Sequence, residues 1–141
     1  MSYSIGSHFD AQRWYDTTID KRTREALRSR IAEFELEHEN DSDTELLILI
    51  RARANELGYV PYAVDCLAGH MIVQRFGSWI NALRLAKLPK PRGSMRIRDS
   101  RLYQEEYRRQ QKLHRIEKEL KMSKRKSAEQ ERKRRKKEQG R

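Results

Sequence analysis

Residues able to recognise a partner cluster in two places. In the stretch from about Met71 to Phe76, helical spacing turns Ile72, Val73 and Phe76 inward and leaves Met71, Gln74 and Arg75, with His70 just ahead of them, outward. In the DNA major groove, Gln matches adenine and Arg matches guanine. Gln74 and Arg75 are therefore candidate base-reading residues, with His70 beside them; the plain alternative is a solvated helix face. Arg51, Arg53, Arg84 and Lys87 are candidate phosphate contacts on neighbouring segments. The second cluster is the run Arg132-Lys133-Arg134-Arg135-Lys136-Lys137. On a helix it wraps more than one turn, so about half of it meets phosphates at once.

Patterns for other chemistry are incomplete. Cys66 and His70 have the i, i+4 spacing of two zinc ligands, but no second pair accompanies them. Glu39, Asp41 and Asp43 resemble part of a calcium loop without its glycine and closing glutamate. His8, His38, His70 and His114 are scattered, and neither a His-Asn-His nuclease pattern nor a glycine-rich phosphate loop is present. The expectation is a protein that is not an enzyme and takes no metal or cofactor.

Composition agrees with a binding role. Of 141 residues, 38% are charged and 36% hydrophobic, against about 25% charged in an ordinary globular chain. One core cannot extend through all of it. Residues 1–43 hold 6 basic and 10 acidic residues, 44–92 hold 7 and 3, and 93–141 hold 19 and 8. The last segment thus carries a net charge equal to the +11 of the whole chain, the mark of a polyanion-binding surface or a solvated arm. No run of about 18 apolar residues could span a membrane. The lone Cys66 cannot form an intrachain disulfide. The opening MSYSIGSHFD has neither a basic start nor an apolar stretch, so a cytoplasmic setting is expected.

The elements that must position these residues read as an all-α chain. Residues 1–19, with Tyr3, Phe9, Trp14 and Tyr15, read as an irregular arm. A helix is expected over about Asp20–Glu37, with Leu27, Ile31 and Phe34 in one stripe. Ser42 and Glu45 form a capping-box signature for a second helix ending at Gly58. Its Leu46-Leu47-Ile48-Leu49-Ile50 run is apolar nearly all round and is expected deep in a core. A third helix is expected over about Tyr62–Ala68, then a tight Gly69-His70 turn. A fourth follows over Met71–Phe76, and a fifth from Trp79 to about Lys87, capped by Ser78. The folded module is 20–91, and 92–98 is a linker. Residues 99–141 are a basic tail rich in helix formers, with fraying expected after Met122, where Ala128 is the only apolar residue. The class is a small helix-turn-helix-like bundle of about five short helices followed by a long basic helix or a disordered tail. Leu113, Ile116 and Leu120 make one short heptad-like patch on that tail.

Residues 46–89 resemble the homing-endonuclease-associated repeat, a small helical DNA-binding module. The matching features are Leu46 and Leu49 ahead of Ala54, then Leu57-Gly58 and Pro61. Phe76-Gly77-Ser78-Trp79 is the most specific block, followed by Ala82-Leu83, Ala86 and Leu88-Pro89. One copy is present, without a nuclease domain. The resemblance implies duplex-DNA binding, with the basic tail on the phosphate backbone. Two alternatives stay open: an RNA- or ribosome-associated protein whose tail docks into folded RNA, and a protein-interaction adaptor built on the acidic first third.

Overall fold

In the computed structural model, which describes residues 9–140, the chain is all-α, and no strand occurs among the described residues. The helices are α1 (Ala11–Glu37), α2 (Asp43–Leu57), α3 (Gly69–Phe76), α4 (Trp79–Leu85) and α5 (Arg101–Gln139), with single 3-10 turns at Ala63–Asp65 and Ile97–Asp99. No described helix is long and apolar enough to cross a membrane.

The first helix starts earlier than its apolar stripe indicates. Asp10 caps it, its carboxylate accepting from the Arg13 backbone N–H at 3.0 Å. The arm read as irregular is thus helical from Ala11 onward, with Trp14 half-exposed and ring-packed on Phe9. Tyr3 and the rest of residues 1–8 lie outside the described residues. The expected stripe holds: Leu27 is buried, and Phe34 packs on the main core.

The second helix begins as expected, the Ser42 hydroxyl accepting from the Glu45 N–H. It is buried along one face only, however. Leu46 and Ile50 are fully buried, while Ile48 is 58% exposed. With Ala68, Ile72, Ala82 and Leu83 they form the main core, flanked by Phe76, Trp79 and Leu88.

The expected third helix collapses to one 3-10 turn. The Asp65 carboxylate accepts from the Tyr62 N–H, closing the segment on itself, and Cys66 is extended (φ −119°, ψ 133°). Gly69 and His70 open α3 instead of forming a turn. A Cβ on Gly69 would lie 2.1 Å from the Ala63 carbonyl oxygen, so only glycine allows α3 to start against that backbone. Helix α4 ends at Leu85, two residues earlier than expected.

The chain divides into two units, one through Tyr107 and one from Arg108. Within the first, residues 92–98 are less free than a linker. The Tyr62 hydroxyl donates to the Arg92 carbonyl, and Ile97 packs on a second core of Leu27, Leu102 and Tyr103. The first turns of the expected tail therefore belong to the fold. Ser100, fully buried, accepts from the Tyr103 N–H. The buried Glu106 accepts from Arg30 of α1 at 2.9 Å. The second unit is the remainder of α5, helical to Gln139, where fraying was expected after Met122. Its helix formers and i, i+4 pairs account for this: Glu131–Arg135 lie at 3.1 Å and Glu129–Lys133 at 3.6 Å.

Candidate nucleic-acid interface

The block Phe76-Gly77-Ser78-Trp79 builds one joint between two helices. Phe76 closes α3 against the main core. Gly77 turns the chain at φ 85°, in the left-handed region where a side chain would be strained. The Ser78 hydroxyl accepts from the Asn81 N–H and caps α4. The Trp79 indole packs on the same core and donates to the Pro61 carbonyl at 3.0 Å. Asn81 closes the joint, its side-chain amide donating to the Phe76 carbonyl. Sequence reasoning had no role for Asn81; the legible signal was its place three residues after the capping serine.

Helix α4 presents Ile80, Arg84 and Leu85 to solvent, followed by Lys87. The Arg84 guanidinium donates to the Asn81 side-chain oxygen at 2.7 Å, which orients it along the helix. Lys87 stands at φ 59°, left-handed without being glycine. The Lys87 N–H reaches the Arg84 carbonyl and the Leu88 N–H reaches that of Leu83, closing the helix end.

The residues expected on the reading face of α3 are divided. His70 is exposed at a cleft shared with Leu27, Ile31 and Val73. Gln74 is exposed at a different cleft, lined by Glu35 and Leu36 of α1, by Glu39 in the turn after it, and by Met71 and Arg75. Arg75 turns to the start of α2, donating to the Asp41 carbonyl and the Asp43 carboxylate, each at 3.0 Å. Helix α1 and the turn after it thus flank the outward side of α3 and set carboxylates beside Gln74 and Arg75. One of them, Glu35, has a buried oxygen without a hydrogen-bond partner.

Of the expected phosphate contacts, Arg51 and Arg84 are exposed. Arg53 instead turns inward, donating to the Asp65 carbonyl at 2.7 Å and to Glu56. The Asp65 carboxylate, fully buried, accepts from the Arg101 N–H and so holds the start of α5 against the repeat-like segment. Cys66 and His70 do not share a helix face, since Cys66 ends the 3-10 turn. Burial pushes the Cys66 thiol up to about 12, which keeps it neutral.

In the second unit, Arg132 to Lys137 are all exposed. Lys133, Arg134 and Arg135 lie within 4.0 Å of Glu129 or Glu131. These exposed pairs are weak and easily exchanged for phosphate.

Comparison with known proteins agrees with the joint. Residues 41–89 match the family model described as the homing endonuclease associated repeat, in a single copy. The match spans α2, the 3-10 turn, α3 and α4. No curated protein and no solved structure matches the chain.

Proposed function

We propose that this protein is a non-enzymatic duplex-DNA-binding protein in which the repeat sets register and the basic helix supplies affinity. The observation that carries the reading is the partition of charge. Residues 1–107 hold 16 basic and 16 acidic residues, and residues 108–141 hold 16 and 5. The folded unit is neutral, and the entire +11 lies in the second unit, whose described basic residues stand exposed along a helix. Such a surface neutralises phosphates without reading sequence.

Register falls to α3 and α4, which form a helix-turn-helix-like pair. In such pairs the second helix enters the major groove. Helix α4 suits that role better than α3, because Arg84 and Lys87 stand clear of the carboxylates that face Gln74 and Arg75. Base reading by Arg84, with Asn81 orienting it, replaces base reading by Arg75.

The test is a pair of binding isotherms over a range of salt, for the full chain and for a chain ending at Met122, on the same duplex. Residues 123–141 hold 10 basic and 3 acidic residues. If about half of the basic side chains meet phosphates, the slope of log affinity against log salt becomes shallower by roughly 3–5 units. Equal slopes would remove the tail from the interface. Tighter binding to a structured RNA than to duplex DNA at the same salt would transfer the reading to an RNA partner.

A further inference from the structure

The second unit carries an apolar feature that phosphate binding leaves unused. Leu113, Ile116 and Leu120 are 39%, 42% and 56% exposed. Their spacing of three and four places them in one stripe, in the a, d and a positions of a heptad. In that frame Lys112 and Glu119 occupy g, and Glu117 and Lys124 occupy e. In a parallel, in-register pair of helices, each g residue faces the e residue five positions later on the other helix. Lys112 then faces Glu117 of a second copy, and Glu119 faces Lys124. Both contacts join opposite charges. A stripe placed by chance would match in sign at both positions only occasionally.

We infer that two copies of this chain pair in parallel along Leu113, Ile116 and Leu120 when both are bound to one duplex. The condition follows from the charges. Each second unit carries +11, and this repulsion opposes pairing of the free chains. The apolar seam is also short. It stops at Ser123, whereas a free coiled coil needs about three or four heptads. Duplex DNA removes the first obstacle by neutralising the lysines and arginines. It offsets the second by holding two copies at high effective concentration. Beyond the seam, residues 124–137 of each copy continue as basic helix and would diverge along the backbone from the paired stretch. The inference rests on the DNA-binding reading above and adds the stoichiometry and symmetry with which the duplex is bound.

Disulfide trapping in the full-length chain tests it. Leu113→Cys places a thiol in the seam, and Lys118→Cys places one on the opposite face. The wild-type chain, with its buried Cys66, sets the background. Binding to the duplex is followed in the same samples by fluorescence anisotropy. On duplex DNA, Leu113→Cys should give at least about tenfold more disulfide-linked dimer than Lys118→Cys, and without DNA both should stay near background. Within the Leu113→Cys chain, Glu119→Lys or Lys124→Glu should each lower the yield roughly two- to fivefold, and the two together should restore it. Glu119→Lys adds positive charge and so tightens DNA binding. A loss of cross-link there has the opposite sign from an affinity effect.

DNA binding without the Leu113→Cys dimer would overturn this inference alone, and would leave the stripe to a different protein. Equal trapping at both cysteines, or failure of the charge swap to restore the yield, would overturn it as well. No binding to duplex would overturn the proposed function together with it.

Discussion

Arg75 shows how a residue of suitable type can be committed elsewhere. Its guanidinium donates to the Asp41 carbonyl and the Asp43 carboxylate, so base reading by Arg75 would first break both contacts. Trp79 is the complementary case. Its aromatic type suits base stacking, yet its indole N–H is bonded to Pro61 and its ring packs on the main core. Trp79→Ala should therefore destabilise the folded unit by about 3 kcal/mol, the low end of the range for a large aromatic because the ring is only half-buried. Chemical denaturation monitored by circular dichroism checks this. A wild-type melt accompanied by lost DNA binding would move the indole to the interface.

Two element-level contacts lend themselves to test. Lys87 ends α4 in the left-handed region, which costs a non-glycine residue about 1 kcal/mol. Lys87→Gly should raise stability by about that amount while weakening DNA binding, so the melt and the isotherm should move in opposite directions. The second contact joins α1 to the start of α5, where the Tyr103 hydroxyl donates to Asp20. Burial, then that bond, pushes the Tyr103 phenol up to about 12. Burial also raises the Asp20 carboxyl, but Tyr103 and Arg24 outweigh it and hold the group below its ordinary value of 3.8. The protonated phenol is favoured in the fold. Its contribution is therefore intact below about 10 and is lost as pH rises toward about 12. The ionised carboxylate is favoured too, so its contribution is present above about 4 and is lost as pH falls below. Tyr103→Phe should flatten the alkaline fall in melting temperature between pH 10 and 12 and cost about 1–2 kcal/mol at neutral pH.

At the scale of the whole molecule, the packed cores and the net charge belong to different units. The two cores draw on residues up to Tyr107, while the net charge lies beyond it. A chain ending at Met122 should therefore melt within about 0.5 kcal/mol of the full chain, as expected for surface changes away from packed groups, while losing most of its affinity for duplex. Parallel thermal melts and binding isotherms check the separation. A large loss of stability on truncation would mean that residues 123–141 pack on something in the native protein.

Local chemistry was sufficient for much of this structure. The all-α class, the Ser42 and Ser78 caps, the stops at Gly58 and Gly77 and the Leu27–Phe34 stripe follow from periodicity and from side chains that act within one turn of their own backbone. The charge partition is a property of the sequence alone. What lay beyond it involves residues far apart in the chain. The Asp65 carboxylate anchors Arg101, Arg30 meets Glu106, and α1 with the turn after it sets carboxylates beside the outward side of α3. The Asp65–Tyr62 bond within the 3-10 turn is local, but the burial of that turn against Arg53 and Arg101 and the docking of the first turns of α5 have no local signature. Both are selected because they satisfy buried polar groups that only tertiary packing brings within reach. For the same reason, Gln74 and Arg75 satisfy the pattern of a reading face, while the fold leaves α4 the clearer helix.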